Sequence, residues 1–464
     1  MTLKGQSLVT IDDLSTAEIG AIFSAADEMA AAVGEQSKLC KGKILASLFF
    51  EPSTRTRLSF EAAMYRLGGN VITAVDIGAT SLAKGESLAD MARIVGSYAD
   101  IIVIRHPWEG AARVVADYAG VPVINAGDGG HQHPTQTLLD LYTIRKERKT
   151  IKGLKIALWG DLKYGRTIHS LIFALAKFGA NILFCPTPGL EVPEHILQKL
   201  VTEYGGEVEK LKPSKREEKE KVFPLDAVYT TPTSSHQLAM MPDVNLSLEL
   251  GKGVDAIYVT RPQKERFEAG EGELSERYAV VDKNLLKGKE FRSTLVMHPL
   301  PRVDELAYEL DADPRSQYFK QAAYGVPVRM AIIALLSGAK PAPGIETRES
   351  PVTFPVYSRE SGLKCSNPKC VSIQKTEAKY LRSEFKIVNR NPLTLRCVFC
   401  EHGFEPKYIA STEWHEGKVV NKKYHPAASY WARTIKAENL VIFNSAAEAE
   451  AQGFKPNNII GGKN

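Results

Sequence analysis

The chain of 464 residues is 44% hydrophobic and 24% charged, with a net charge of +5, which is ordinary globular material long enough for about three domains. That balance excludes collagen-like and low-complexity classes, and no uninterrupted apolar run approaches the roughly 20 residues of a membrane helix. The amino terminus, Met1-Thr2-Leu3-Lys4-Gly5-Gln6, leads into a polar stretch and not into an apolar signal-peptide core, so a cytoplasmic protein without membrane association is expected.

Apolar periodicity predicts a helix over 15–34, then strand 43–50, helix 54–67, strand 70–76, helix 86–97, strand 100–104, helix 110–119 and strand 121–125. Strands alternating with helices mean a parallel sheet with ligands at the carboxyl ends of its strands. The first strand runs into Phe49-Phe50-Glu51-Pro52-Ser53-Thr54-Arg55-Thr56-Arg57, with Ser53 expected as N-cap. Orphan first-turn amides, threonine hydroxyls and guanidinium groups meeting at a helix start make a phosphate site. Arg105 falls at another strand end. A helix from Thr137 to Lys146 is expected to cross to a second domain.

That domain restarts the alternation with strand 155–160, helix 167–178, strand 180–185, helix 193–204 and strands 226–230, 255–260 and 294–297. Asp161, Arg261 and His298 follow strand ends, where a cleft is lined. Gly160-Asp161 with Gly165 does not make a Gly-x-Gly-x-x-Gly turn, which argues against a dinucleotide site. The mixed-charge segment 213–221 reads as a solvated loop. A helix over 315–337 ends at Gly338, and Lys340-Pro341-Ala342-Pro343-Gly344 is a linker signal.

Further stretches follow the phosphate loop in order: Ser81-Leu82-Ala83-Lys84-Gly85-Glu86, Arg105-His106-Pro107, His131-Gln132-His133-Pro134-Thr135-Gln136, Asp161-Leu162-Lys163-Tyr164-Gly165-Arg166, Arg261-Pro262-Gln263 and His298-Pro299-Leu300-Pro301-Arg302. Together they resemble the catalytic chain of the aspartate carbamoyltransferase family over about residues 1–340. The resemblance implies two doubly wound parallel-sheet α/β domains. These are a carbamoyl-phosphate domain over 1–145 with a returning helix over 315–340, and an aspartate domain over 146–314. It also implies transfer of a carbamoyl group from carbamoyl phosphate to the amine of L-aspartate, a step of de novo pyrimidine synthesis needing no catalytic metal or cofactor.

By that resemblance Ser53, Thr54, Arg55, Thr56 and Arg105 hold the phosphate. Thr56, Arg105 and His133 donate to the carbonyl oxygen, with His133 a donor and not a base. Gln136 and the Pro299-Leu300 backbone orient the carbamoyl amine. Arg166, Arg261 and Gln263 bind aspartate. Ser81 and Lys84 sit on a loop that reaches the active site of a neighbouring subunit, which implies a homotrimer with shared sites. Glu51 and Arg266 pair across the domains when the cleft closes. Ornithine carbamoyltransferase is the rival, and its cationic substrate calls for a carboxylate and a cysteine near the closing motif; His298-Pro299-Leu300-Pro301-Arg302 has no cysteine.

Beyond the linker, placed at 341–355, the composition shifts to short β-patterned runs, Val371–Gln374, Ser383–Val388 and Leu393–Arg396, read as a small separate module. Cys365-Ser366-Asn367-Pro368-Lys369-Cys370 and Cys397-Val398-Phe399-Cys400 form two close thiol pairs, a strong pattern for structural zinc held by Cys365, Cys370, Cys397 and Cys400. A cytosolic chain makes disulfides the weaker reading. The surroundings resemble the zinc domain of the aspartate carbamoyltransferase regulatory chain, over 356–411. The linker leaves no room for that chain's nucleotide-binding domain, so the module is expected to act on assembly, joining two trimers, and not on chemistry.

Residues 412–464 resemble the small zinc-binding domain of the Ada DNA-repair protein, with Ser429, Asn457 and Ile460 where cysteines would stand. The metal site there is expected to be lost, and Trp431, Phe443 and Phe454 to form a core. Residues 341–464 carry 18 Lys and Arg against 12 Asp and Glu. A nucleic-acid-binding protein with a degenerate enzyme body is therefore a second reading, but the excess is mild and weighs against it.

Overall fold

The computed structural model describes residues 3–32, 37–186, 189–205, 209–210, 226–231, 255–261, 280–288, 291–342, 353–358, 363–412, 414–415, 418–419 and 422–457. The predicted loop 213–221, most of the linker, and Gln263, Arg266 and Ile460 lie outside them.

The first sheet consists of β1 (Ile44–Phe49), β2 (Asn70–Val75), β3 (Ile101–His106) and β4 (Val123–Asp128) in the order β2-β1-β3-β4, every pair parallel. All six residues of β3 are buried, as an Ile-Ile-Val-Ile run covered on both faces requires. The edge strand β2 leaves Ile72 and Val75 exposed. Helices α1 (Thr16–Ala31), α2 (Thr54–Arg66), α3 (Leu88–Tyr98), α4 (Ala111–Tyr118) and α5 (Pro134–Arg148) connect and cover the strands. Helix α1 starts on a capping box: Ser15 Oγ accepts from Glu18 N, and Glu18 Oε2 accepts from Ser15 N. Helix α5 begins at Pro134, three residues earlier than expected, because proline needs no amide partner at a helix start.

The second sheet runs β10-β9-β8-β5-β6-β7, also parallel, from β5 (Lys155–Gly160), β6 (Asn181–Pro186), β7 (Glu209–Lys210), β8 (Ala227–Thr231), β9 (Ala256–Val259) and β10 (Leu295–Met297). Helices α6 (Arg166–Lys177) and α7 (Glu194–Tyr204) belong to it. The chain then returns: α8 (Tyr318–Leu336) packs against α1, α2 and α5. By length and composition α8 could cross a membrane, a feature the sequence reading passed over, but here it lies mostly buried in protein.

An antiparallel module follows, with β11 (Val356–Tyr357), β12 (Phe385–Arg390), β13 (Leu393–Cys397) and β14 (Gly403–Phe404) in that order. The run Val371–Gln374, expected to be extended, instead forms a 3-10 turn over Val371–Ile373 that begins at the thiol-bearing Cys370. The module packs on the first half. Its Val371, Phe385 and Leu395 share one buried cluster with Leu88 of α3 and Val114 of α4. In the tail, Tyr408–Ser411 pairs with Lys423–Pro426 and Leu440–Phe443. Phe443 and Phe454 pack together there at 5.3 Å, but Trp431, expected in the core, is 43% exposed and lies against His425 instead.

Candidate functional site

Both sheets reverse their winding order, the first between β1 and β3 and the second between β5 and β8. Crevices form at the carboxyl ends of strands where the order reverses. A cavity of about 440 Å³ lies there, between the two halves. Its wall holds Ser53, Thr54, Arg55 and Thr56 after β1, Arg105 at the end of β3, and His133 and Gln136 at the start of α5. The second half supplies Arg166 at the start of α6, Arg261 after β9, and Pro299 and Leu300 after β10.

Ser53 occupies the N-cap position of α2, yet its hydroxyl makes no capping bond, because its backbone (φ −162°, ψ 82°) departs from the extended N-cap geometry. The first-turn N–H groups of α2 are thus left to the cavity. Arg105 is 6% exposed, and its Nη1 donates to Ala126 O at 3.2 Å. Gly127, at φ +115°, passes so close that a Cβ would sit 3.1 Å from Arg105 Nη1 and 3.4 Å from Arg166 Nη1. A side chain there would push on both guanidinium groups.

Glu51 joins the halves. Its Oε2 accepts from Arg166 Nη1 at 2.9 Å and lies 3.4 Å from Arg105 Nε. The expected partner Arg266 is outside the described residues. His133 N donates to Ser170 Oγ of α6 at 2.9 Å, a second tie between the halves. Burial, followed by the positive charges of Arg166, Arg105 and Arg329, holds the His133 imidazole well below its usual pKa. That direction favours the neutral imidazole, which has one N–H to donate and one nitrogen to accept. Burial and then Arg261 likewise lower the Arg55 pKa.

Leu300 adopts φ +51°, a left-handed conformation costing a β-carbon residue about 1–3 kcal/mol. His298 pins it. Its Nδ1 accepts from Leu300 N at 2.8 Å, so Nε2 carries the proton that Glu305 Oε1 accepts at 2.8 Å. The strained backbone is thereby held against the cavity.

Ser81 and Lys84 do not line this cavity; they lie on an exposed 3-10 turn, Ser81–Lys84. Sequence reasoning missed Arg329, Tyr229 and Thr260, which do line it. Arg329 is 3% exposed, its Nε has no hydrogen-bond partner, and burial lowers its pKa to about 10, with Asp140 opposing. A lone arginine in the apolar run Val328-Arg329-Met330-Ala331-Ile332-Ile333 was the available signal, since buried arginines are rare without a partner.

A second centre lies in the module. The sulfur atoms of Cys365, Cys370, Cys397 and Cys400 lie within 4.8 Å of one another and are all buried. Cys365 Sγ is 3.6 Å from Cys400 Sγ, and Cys370 Sγ is 3.7 Å from Cys397 Sγ, separations too long for disulfide bonds. The thiol-bearing loops also dock the module on the catalytic halves. Glu109 N donates to Lys369 O and Val371 N to Glu109 O, both at 2.9 Å. Glu401 Oε2 accepts from Gln132 Nε2 at 2.8 Å and contacts His131 Nε2 at 3.1 Å, while its Oε1 accepts from Lys199 of α7 at 2.7 Å. Arg396 pairs with Glu203, also on α7.

Models of known families match three parts of the chain. Residues 6–146 match the aspartate/ornithine carbamoyltransferase carbamoyl-P binding domain, and 152–246 with 244–336 match the Asp/Orn binding domain of the same family. Residues 360–410 match the metal binding domain of the aspartate carbamoyltransferase regulatory chain. The aspartate carbamoyltransferase catalytic subunit of Methanocaldococcus jannaschii is 46% identical over 333 residues, covering 71% of this chain and 97% of that protein. That of Thermoplasma acidophilum is 44% identical over 343 residues, 72% of this chain and 99% of its own. Among solved structures, aspartate transcarbamoylase from Trypanosoma cruzi in complex with carbamoyl phosphate and aspartate superimposes with a TM-score of 0.59 at 36% identity, over 72% of this chain and 97% of that one.

Proposed function

Because this chain belongs to the aspartate/ornithine carbamoyltransferase family, we propose that it acts as an aspartate carbamoyltransferase, joining carbamoyl phosphate and L-aspartate into N-carbamoyl-L-aspartate and phosphate in de novo pyrimidine synthesis. One observation carries the choice of acceptor. Arg55, Arg105, Arg166, Arg261 and Arg329 line a single cavity, and among its described lining residues there is no aspartate or glutamate. Two polyanions suit such a wall, whereas the ammonium of ornithine would meet like charge.

In this reading the aspartate amine attacks the carbonyl carbon, the C–N bond forms as the C–O bond to phosphate breaks, and the proton the amine loses leaves with the departing phosphate. The protein's task is to align two anions and stabilise charge growing on the carbonyl oxygen and the phosphate. Ser53, Thr54, Arg55, Thr56 and Arg105 hold the phosphate, and Thr56, Arg105 and neutral His133 donate to the carbonyl oxygen. Gln136 and the Pro299-Leu300 backbone receive the carbamoyl amine. Arg166 and Arg261, with Gln263, take the carboxylates. Arg261→Ala should raise the KM for aspartate about tenfold or more while leaving carbamoyl phosphate binding in place, and steady-state kinetics with each substrate varied tests the division.

Ser81 and Lys84 complete a neighbour's site in this reading, so the working unit is a homotrimer. Their exposed turn, lying outside the cavity of its own chain, supports the assignment, as does the exposed apolar surface of Leu58, Tyr65, Ile72, Ile94 and Tyr98 on α2, β2 and α3. In the module, zinc is the metal the four thiols fit. A zinc–thiolate tetrahedron with bonds of about 2.3 Å has edges of about 3.8 Å; two of the sulfur–sulfur separations stand at 3.6 and 3.7 Å, and all of them lie within 4.8 Å. Four thiolates would fill its coordination and hold the module's loops together, with no position open for chemistry.

A further inference from the structure

Behind the cavity wall, one buried carboxylate ties together two glutamines. Asp140 lies one turn after Gln136 on α5 and is wholly buried. Its Oδ1 accepts from Gln136 Nε2 at 2.8 Å and from Gln321 Nε2 of α8 at 2.9 Å. Gln321 Oε1 in turn accepts from His298 N at 3.0 Å, immediately before the strained Pro299-Leu300 segment. Primary amides present a donor on one side and an acceptor on the other, and an acceptor oxygen held against the NH2 group fixes which way each one points.

We infer that Asp140 is a positioning residue for recognition of the carbamoyl amine. By holding the Gln136 NH2 it turns the Gln136 carbonyl toward the cavity, and through Gln321 it anchors the backbone at His298 that leads into Pro299-Leu300. The cavity then presents acceptors to an NH2 group and none of the donors a flipped amide would offer. Without Asp140, Gln136 is free to present either end, and the preference for a carbamoyl group over a group of equal size lacking N–H is lost. Arg329 lies nearby, its guanidinium filling the space beside Gly325, where a Cβ would come within 2.3 Å of Arg329 Nη1. The inference deepens the reading above and rests on carbamoyl phosphate being the donor substrate.

The discriminating probe is acetyl phosphate, which keeps the phosphate and carbonyl but carries a methyl group in place of the amine. Affinities of both ligands are measured by competition on the full-length wild type, Asp140→Leu, which fills a similar buried volume without an acceptor, and Asp140→Asn, which retains one oxygen. Wild type is expected to prefer carbamoyl phosphate by about tenfold or more, a hydrogen-bond-sized margin. Asp140→Leu should lose about tenfold toward carbamoyl phosphate and less than about threefold toward acetyl phosphate, and Asp140→Asn should restore most of the preference. Asp140→Ala replaces the leucine variant if that chain fails to fold. Equal weakening toward both ligands would reduce Asp140 to a merely structural role, and an unaltered preference would remove it from recognition; either overturns the inference while leaving the transferase reading standing. A wild type that binds neither ligand would overturn both.

Discussion

At the scale of single residues the cavity is lined by positive charge, from Arg55, Arg105, Arg166, Arg261 and Arg329. Arg105 is buried and held by Ala126 O and Glu51, and in the proposed reading its charge would cost no reorganisation when a carbonyl oxygen becomes anionic. Arg55→Ala and Arg105→Ala are each expected to lower kcat roughly a hundredfold or more; single-turnover rates at saturating substrates measure it, and an unaltered rate would remove either residue from the transition state. His133 supplies a sharper test. Since burial and three arginines depress its pKa far below the usual histidine range, the rate should show no His133 ionisation near pH 6.5. The profiles of wild type and His133→Asn should share the same shape at different heights, and an acid limb lost in the variant would contradict a neutral donor. Most of the side chains on the cavity wall were legible because they stand in short, polar, strand-end motifs. Arg329 was not, since its sequence neighbours are all core residues and only tertiary packing brings it to the cavity.

At the scale of elements, the module is clasped across both catalytic halves by Glu401, which meets His131 and Gln132 on one side and Lys199 on the other. Shifted pKa values set its pH window. Burial opposes protonation of His131, but Asp128 and Glu401 raise its pKa well above 6.5, so its contribution is full below 6.5 and disappears as pH climbs through the raised value. Burial opposes ionisation of Glu401, but Lys199 and His131 hold it well below 4.5, so its contribution exists above 4.5 and is lost as pH falls through the lowered value. Melting temperature should therefore decline on the alkaline side, and His131→Gln should reduce that decline, leaving the share lost at Lys199, whose pKa is raised as well; a variant curve parallel to wild type would refute the clasp. Removing one partner of a buried pair costs about 3–5 kcal/mol, so Glu401→Gln should destabilise the whole chain and not the module alone. Truncation near Pro343, harmless if the module were separate, uncovers Leu88 and Val114, and a lowered melting temperature with added dye-detected apolar surface is expected. The strand alternation of both halves was readable from period and turn residues. The docking was not, because its partners lie some 200 to 270 positions apart, and nothing local marks Glu109 or Glu401 as a contact for residues that far along the chain.

At the scale of the whole molecule, the catalytic relatives match only the first 70% or so of the chain, and the metal-binding module folds onto that part within the same polypeptide. A site completed by a neighbour's Lys84 predicts complementation: inactive Lys84→Ala chains mixed with inactive Arg55→Ala chains should regain activity, because some hybrid sites combine an intact loop with an intact phosphate pocket. No recovery after subunit exchange, verified by native mass, would contradict sharing. Above all of this stands the identity of the carbamoyl acceptor, argued from five arginines around a cavity without a described carboxylate. Its most direct test is the rate of carbamoyl transfer from carbamoyl phosphate by the purified full-length chain, with L-aspartate and L-ornithine offered separately. The account predicts N-carbamoyl-L-aspartate formation with kcat/KM for aspartate exceeding that for ornithine by several orders of magnitude, whereas faster transfer to ornithine would contradict it.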